Sequence, residues 1–426
     1  MRIRTAVRIS RDMVRDRGLR QIYWATRTAL QRASRLRQGA NRPFAQAVAR
    51  DYRRFLLTGV SRVRGEAPAR AAAAVAWLLR GQDATSDDGV SLGYFPCERV
   101  GGSAWRPSYP ETTGYIIVSL VEYAERCGDV TILERAYRMA RWEISVQMPS
   151  GAVQGGPVCS PERQRAAVFN TGMVLQGYVA VLGRTADPAI AEAARRAADF
   201  LVGDLGSDGH FRTHGPYVAP HRVKTYNCLC AWPLYRLGEM TDNQQYRQSA
   251  LRAIEAALGE QRPNGWFANN CLERPEAPLL HTIGYTLQGV LEVGVAAKSD
   301  RMVAAVRRGV DPLVKQIRAD GFLYGCFYPD WEPATWSACL TGQAQLAVVC
   351  YRLFEVLGER RYRDAAERLV DFLKAVQRLD STDPGVNGAL AGSFPILGSY
   401  MPGGYPNWAT KYLLDALMLQ DRLSGA

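Results

Sequence analysis

The 426-residue sequence lacks any long apolar run. No stretch approaches the ~20 consecutive apolar residues that a transmembrane helix requires, and no apolar signal-peptide core follows the first residues. A clustered cysteine framework is also missing. The nine cysteines are scattered along the chain, and several fall in helical patterns, such as Cys127, Cys339 and Cys350. This pattern indicates reduced, buried thiols rather than a disulfide framework. We therefore expect a cytoplasmic protein.

Metal-binding patterns are also missing from the sequence. Only four histidines occur, and Cys228 and Cys230 are two residues apart, which is not the usual spacing of zinc ligands. No carboxylate cluster has the spacing of a calcium-binding loop. The sequence therefore predicts no metal site and no cofactor.

What the sequence does contain is a long repeat. Six turn glycines are separated by 62, 58, 56, 56 and 67 residues, and five of them follow Asp or Asn: Gly89, Gly151, Gly209, Gly265, Gly321 and Gly388. Such pairs favour turns with positive φ, which glycine adopts without a steric clash. A period of this length predicts a repeat architecture.

Each turn is preceded by an amphipathic helix and followed by an apolar one. The segment Arg361–Gln377 carries Arg, Glu and Asp on one face, whereas Leu340–Val349 is apolar nearly all round. A helix with one polar face lies outside, and a helix that is apolar all round is buried. Six outer and six inner helices predict an all-α fold, an (α/α)6 toroid, over residues 69–426.

The positive charge lies outside this repeat. The formal net charge is +12, but residues 1–70 contain 18 Arg, no Lys and four acidic residues. We therefore assign residues 1–68 to a basic, helical N-terminal arm. It is expected either to pack on the outside of the ring or to touch anionic lipid at the membrane periphery through Trp24 and Leu30. Nucleic acid is not an expected partner, because no recognised fold or aromatic platform accompanies the charge.

The loops that lead into the inner helices should converge at one end of the ring, where functional residues are expected. They are rich in aromatic and hydrogen-bonding side chains, which suit the faces and hydroxyl groups of sugars. The predicted substrate-binding residues are Trp105, Arg106, Tyr109, Asn170, His221, Arg222, Asn227, Trp336, Gln343, Tyr405, Asn407, Trp408 and Lys411.

The region from about residue 69 to 423 resembles the (α/α)6-toroid carbohydrate-active enzymes. The resemblance rests on the six-fold pattern and on three motifs: Glu111-Thr112-Thr113-Gly114-Tyr115, His281-Thr282-Ile283-Gly284-Tyr285 and Tyr405-Pro406-Asn407-Trp408. This group includes unsaturated-uronyl hydrolases, N-acylglucosamine 2-epimerases, toroid-type polysaccharide lyases and uronyl C5-epimerases. The chain is also similar to proteins encoded beside polysaccharide biosynthesis genes. The resemblance implies a polysaccharide or glycan substrate but no particular reaction.

Three functions are compatible with these residues, and we expect the first of them. The first is a lyase or C5-epimerase that abstracts a proton from a uronic acid, with His281 and either Tyr285 or Tyr226 as base and acid. The second is a glycoside hydrolase with Glu111 and Asp330 as paired carboxylates. The third is a non-catalytic glycan-binding or assembly protein. Simpler structural roles are open as well: His281 or Glu111 would then stabilise a helix N-terminus, and Asp330 would hold its own loop.

Overall fold

The computed structural model describes residues 42–217 and 222–424. These residues form thirteen α-helices and four two-residue strands. The helices are α1 (Arg42–Arg53), α2 (Ala67–Asp83), α3 (Pro110–Cys127), α4 (Val130–Val146), α5 (Val168–Leu182), α6 (Pro188–Asp204), α7 (Ala231–Met240), α8 (Gln244–Gly259), α9 (Leu280–Ala296), α10 (Asp300–Gln316), α11 (Leu340–Leu357), α12 (Arg360–Val376) and α13 (Asn407–Ser424). The strands are β1 (Gly93–Tyr94), β2 (Ala338–Cys339), β3 (Ser393–Phe394) and β4 (Tyr405–Pro406), and they form two antiparallel pairs, β1 with β4 and β2 with β3.

Helices α2 to α13 form two concentric rings, which confirms the predicted toroid. The inner ring consists of α3, α5, α7, α9, α11 and α13, and successive inner helices pack against one another. Each of the first five inner helices also packs against the outer helix that follows it in the chain. The last inner helix, α13, packs against both α3 and the first outer helix, α2, so the two ends of the repeat close the ring.

Burial separates the two rings as the sequence pattern predicts. Every residue of α9 from Leu280 to Gly294 is buried, whereas the outer helix α12 exposes Arg360 and Arg361 and buries its opposite face. The sequence pattern predicts inner-helix starts near Gly114, Thr171, Asn227, Ile283, Thr341 and Trp408. Five inner helices begin one to four residues earlier, whereas α7 begins four residues later, at Ala231, after a 3₁₀ turn over Thr225–Cys230. Helix α3, for example, begins at Pro110, because proline is compatible with the first turn of a helix.

The turn glycines hold neighbouring repeats together. Five of the six have φ between 81° and 93°: Gly151, Gly209, Gly265, Gly321 and Gly388. In the first turn it is Asp88, the residue before Gly89, that has positive φ, at 69°. A Cβ atom on Gly265 would lie 2.1 Å from the carbonyl oxygen of Arg308 on the next outer helix. Glycine is therefore required there by its φ and by the close approach of another backbone.

A glutamine at the end of an outer helix reinforces several of these turns. The side-chain amide of Gln261 donates to the carbonyl oxygens of Gly265, at 3.3 Å, and of Ala305 on the next outer helix, at 2.8 Å. Equivalent pairs of hydrogen bonds are made by Gln82, Gln147 and Gln377. Each glutamine thus joins its own turn to a neighbouring outer helix.

The described part of the arm packs against the ring. Helix α1 continues as one π-helical turn to Thr58, and the Asp51 carboxylate accepts a hydrogen bond of 3.1 Å from the amide of Ile396. The ring of Phe55 contacts Trp336 and Phe394. Trp24 and Leu30, proposed for lipid contact, lie outside the described residues. Among residues 42–217 and 222–424, no helix has both the length and the apolar character needed to cross a bilayer.

Candidate functional site

A cavity of about 320 Å³ lies at the end of the ring where the long loops enter the inner helices. Its lining is mostly aromatic: Leu92, Tyr109, Glu111, Phe169, Asn170, Tyr226, Leu272, Glu273, His281, Tyr285, Tyr400, Met401 and Trp408. The volume is at the small end of the range of ligand pockets, roughly 300–1,000 Å³. The cavity therefore suits one or two sugar residues rather than a long polymer segment.

The repeat itself places most of these side chains. Glu111, Phe169, His281 and Trp408 are the second residues of inner helices α3, α5, α9 and α13, and Tyr226 is second in the 3₁₀ turn that leads into α7. Equivalent positions around a closed ring face the same axis. Five of the six repeats therefore each contribute one such side chain to the cavity.

A second layer lies one helical turn deeper. Residues four apart lie on the same face of a helix, so Tyr115, Tyr285 and Tyr412 lie below Glu111, His281 and Trp408. All three tyrosines are buried. The ring centroid of Tyr412 lies 5.7 Å from that of Tyr115 and 6.2 Å from that of Tyr285. These tyrosines form an aromatic floor beneath the cavity.

Threonine and glycine residues in the motifs that begin at Glu111 and His281 have structural roles. Thr113 accepts a hydrogen bond of 2.9 Å from the amide of Val90, and Thr282 donates one of 2.9 Å to the carbonyl oxygen of Asn270. A Cβ atom on Gly114 would lie 2.5 Å from the backbone of Val174 on α5. Thr thus fixes the loop and Gly permits close helix packing, which holds the preceding Glu or His at the cavity.

Glu111 is one of two carboxyl groups that line the cavity, with Glu273. Its side chain is partly buried, and Oε2 accepts a hydrogen bond of 2.8 Å from the hydroxyl of Tyr109. Burial raises the pKa of Glu111 to about 7, and the Tyr109 hydrogen bond opposes this effect. A carboxyl group with a pKa near neutrality can both donate and accept a proton under physiological conditions.

His281 is a buried, neutral imidazole. Its Nδ1 lies 2.8 Å from Oε1 of Gln345, and because an amide oxygen only accepts hydrogen bonds, Nδ1 carries the proton. Burial lowers the pKa of His281 to about 4. The ring is therefore uncharged at neutral pH, and its Nε2 has a lone pair that can accept a proton or a hydrogen bond.

The tyrosines around these two residues retain their protons. Burial raises the pKa of Tyr285, Tyr226 and Tyr400 above the ordinary value. The hydroxyl oxygen of Tyr400 accepts a hydrogen bond of 2.9 Å from Nε1 of Trp408, so its own proton is available to a ligand. The hydroxyl of Tyr285 is buried and makes no hydrogen bond of normal geometry. These phenols are suited to donate hydrogen bonds or protons rather than to act as bases.

Asn170 adds an oriented amide to the cavity wall. Its Nδ2 donates a hydrogen bond of 2.9 Å to the carbonyl oxygen of Gln154, which leaves Oδ1 to accept one from a ligand. Beside it, the ring of Phe169 lies 5.3 Å from Tyr226 and 4.7 Å from Tyr285. The wall therefore offers aromatic faces together with one amide oxygen.

The structure thus gathers seven of the predicted site residues around one cavity, namely Tyr109, Glu111, Asn170, Tyr226, His281, Tyr285 and Trp408. Asp330 is not among them, so the predicted pair Glu111/Asp330 is not brought together. The Asp330 carboxylate accepts a hydrogen bond from the amide of Glu332. The adjoining Trp331 donates to the carbonyl oxygen of Asn264, at 3.0 Å. This hydrogen bond attaches the loop to the preceding turn, away from the cavity.

Three further predicted substrate-binding residues serve the packing of loops instead. Trp105 lies against Trp77 and Tyr94, with centroid distances of 5.3 and 5.1 Å. Arg106 pairs with Glu98 at 2.9 Å. Trp336 packs against the arm, where its ring contacts Tyr52 of α1 and Phe55 of the π-helical turn.

The other predicted residues are buried in the framework of the ring or belong to its loops. Lys411 pairs with Asp415, four residues on, at 2.6 Å. The rest make hydrogen bonds to backbone or side-chain groups or belong to a strand pair: Gln343, Asn407, Asn227, Tyr405 and Arg222. His221 lies outside the described residues.

Some residues of the cavity and its floor were not predicted. Tyr115 and Tyr412 could have been found from their spacing of four residues after Glu111 and Trp408 on inner helices. Tyr400, Met401, Leu272 and Glu273 lie on loops, and no sequence signal separates them from neighbours that point elsewhere. In the described parts of the chain, no group of three or more His, Cys, Asp or Glu residues is arranged to hold a metal ion.

Comparison with solved structures confirms the predicted fold resemblance. An unsaturated glucuronyl hydrolase specific for heparin superposes with a TM-score of 0.67 at 13% identity, over 84% of this chain and 98% of that chain. The unsaturated glucuronyl hydrolase of Bacillus sp. GL1, responsible for the degradation of glycosaminoglycan, gives 0.65 at 18% identity, over 84% and 96%. A D-mannose isomerase gives 0.66 at 11% identity, over 85% and 98%.

No protein-family model matches the chain, and no curated protein matches it in sequence. At these identities the structural likeness shows the fold alone, an (α/α)6 toroid.

Proposed function

We propose that this protein is a carbohydrate-active enzyme in which Glu111 transfers a proton to or from a glycan bound in the cavity. The observation that carries the proposal is the position of Glu111. It is a partly buried carboxyl group with a pKa of about 7, in the lining of a cavity walled largely by aromatic side chains. The fold neighbours, which are named as glucuronyl hydrolases and a mannose isomerase, support a sugar substrate.

The reaction that we favour is hydrolysis of a glycosidic bond. Protonated Glu111 would donate its proton to the leaving oxygen as that bond to the sugar carbon breaks. Glu273, the other carboxyl group that lines the cavity, would accept a proton from the attacking water as the water oxygen bonds to that carbon. Glu273 thus takes the role that the sequence assigned to Asp330, because Glu273 reaches the same cavity as Glu111.

A second candidate is proton abstraction from a sugar carbon, as in a lyase or an epimerase. It is favoured by the neutral His281, whose Nε2 is unprotonated and which lines the same cavity as Glu111. In this reaction Glu111 or His281 would be the base. Tyr285 and Tyr226 would be the proton donors, because their raised pKa values keep both hydroxyls protonated at neutral pH.

Incubation of the protein with a panel of glycans in heavy water tests both reactions. New reducing ends would indicate hydrolysis, ultraviolet-absorbing products would indicate a lyase, and deuterium at a sugar carbon without cleavage would indicate an epimerase. Glu111→Gln should reduce turnover by about 10²–10⁴-fold, the usual contribution of general acid–base catalysis. Asp330→Asn is the matched control and should retain activity.

Two results would contradict the proposal. The first is an active Glu111→Gln variant. The second is a wild-type protein that binds glycans of the panel but converts none of them, which would instead favour a glycan-binding or assembly protein.

A further inference from the structure

The charges around the cavity are of one sign. Glu111 and Glu273 line it, and of the residues that the structure describes, no Arg or Lys side chain does. A carboxylate on a ligand would therefore meet two carboxyl groups and no cation. Proteins that hold a substrate carboxylate in a confined site normally pair it with a cation, most often arginine.

Two cations on neighbouring segments are already engaged. Lys411 lies 2.6 Å from Asp415 and 4.1 Å from the ring centroid of Tyr412, beneath the floor. Arg106 pairs with Glu98 and lies over the ring of Phe95. These interactions neutralise both charges, and releasing either one would leave a carboxylate or an aromatic ring without its partner.

A third cation lies behind the cavity wall. Lys224 is buried, and its Nζ donates to the carbonyl oxygens of Cys271, at 2.9 Å, and of Leu272, at 2.5 Å. It fixes the backbone of the segment that carries Leu272 and Glu273. Its hydrogen bonds are therefore used to shape the wall and not to bind a ligand.

His281 does not supply a positive charge either. Burial lowers its pKa to about 4, so its ring is neutral when a uronate carboxylate is ionised at neutral pH. The polar groups that remain include the hydroxyl of Tyr400 and the amide oxygen of Asn170. They match the hydroxyl groups of a sugar, and the rings of Phe169 and Trp408 match its apolar faces.

From this lining we propose that the cavity selects a neutral sugar residue over a uronic acid. This inference rests on the proposed function, because it assigns the substrate class of the same site. A uronate would lose hydration in the cavity and gain no compensating cation, while Glu273 and the ionised fraction of Glu111 would repel it. A hexose with a hydroxymethyl group in place of the carboxylate has neither penalty.

Binding to matched pairs of ligands tests the inference without any need for turnover. Each pair would consist of a methyl hexoside and the methyl hexuronoside of the same configuration, in the gluco, galacto and manno series. Calorimetry or saturation-transfer NMR at neutral pH would measure the affinity of the wild-type protein for both members of each pair. The neutral member of the best-bound pair should bind at least roughly tenfold more tightly, because like charges oppose each other in the cavity.

A charge reversal at the rim provides the second measurement. Glu273 is exposed, so Glu273→Lys should leave the fold intact while placing a cation at the cavity. The substitution should increase the affinity for the uronate member at least roughly tenfold and change the affinity for the neutral member little. Glu276→Lys is the matched control, because it makes the same charge change on the same exposed loop but lies outside the cavity lining.

The outcomes separate this inference from the proposed function. Preferential binding of the neutral member supports the inference even if no ligand is turned over, in which case the catalytic proposal alone fails. Equal or tighter binding of the uronate overturns the inference, even if turnover depends on Glu111. Absence of binding by every pair at millimolar concentration also overturns it, because the cavity would then not be a hexose site.

Discussion

Replacing Glu111 with glutamine should stabilise the protein at alkaline pH while it removes the proton-transferring group. Glutamine has nearly the same shape, and its amide oxygen can still accept the Tyr109 hydrogen bond. It cannot ionise, however. The variant therefore measures what it costs this protein to hold a carboxylate at the cavity, whatever the substrate is.

The magnitude follows from the pKa. Burial raises the pKa of Glu111 from 4.5 to about 7, and one pKa unit corresponds to about 1.4 kcal/mol. Ionisation of Glu111 in the folded protein therefore costs about 3 kcal/mol more than in the unfolded chain. Below pH 4.5 the carboxyl group is protonated in both states. As the pH rises from 4.5 through 7, the wild-type protein loses stability that Glu111→Gln retains.

Urea denaturation of both proteins at about pH 4 and about pH 8 would measure this difference. The free energies of unfolding should be similar at the lower pH, and the variant should exceed the wild type by about 2–3 kcal/mol at the higher pH. Glu273→Gln, at an exposed position, should change stability by less than about 0.5 kcal/mol at either pH. A constant difference between Glu111→Gln and wild type at both pH values would refute the raised pKa, and with it the main argument for catalysis by Glu111.

Three further substitutions test the framework and the site. Gly265→Ala should lower the free energy of unfolding by more than about 2 kcal/mol, because the φ of Gly265 is positive and the carbonyl oxygen of Arg308 blocks a Cβ atom there. Gly259→Ala is the control, because a Cβ atom there would lie in open space, and it should change the free energy of unfolding by less than about 0.5 kcal/mol. Glu143→Leu should raise that free energy at neutral pH by about 1–3 kcal/mol, because both buried carboxyl oxygens have no hydrogen-bond partner; a loss in denaturation would contradict this. Tyr109→Phe should move the alkaline limit of hydrolysis to higher pH, because its hydrogen bond lowers the pKa of Glu111; an unchanged pH profile would contradict that role.

The ring could be predicted from sequence because its determinants are local and repeated. A glycine with positive φ is needed at nearly every turn, and each inner helix must be apolar all round because it is enclosed on every side. Both requirements produce a recognisable sequence pattern in each repeat. The glutamines that join neighbouring repeats, such as Gln261, produce a weaker pattern, because polar residues are common at helix ends whatever they contact.

The site was predicted only in part, because the amino-acid composition of a loop does not show which way its side chains point. Asp330 and Glu111 both precede or begin an inner helix, yet Glu111 is in the first turn of α3 whereas Asp330 lies ten residues before α11. The loop between Asp330 and α11 is long enough to be held elsewhere, and Trp331 fixes it to Asn264. For Lys411 a local signal existed, since Asp415 lies four residues on, where an ion pair on the same helix face is expected.

Alignment of the repeats on their inner helices explains more of the site than the properties of its residues do. Glu111, Phe169, Tyr226, His281 and Trp408 share one position, the second residue after the loop. At that position the helix has begun, so the helix fixes the direction of the side chain. Because the inner helices form a closed ring, these side chains point toward the axis of the ring. Loop residues have no such constraint. This position therefore contributes one cavity side chain in each of five repeats, and the acidic one among these five is Glu111.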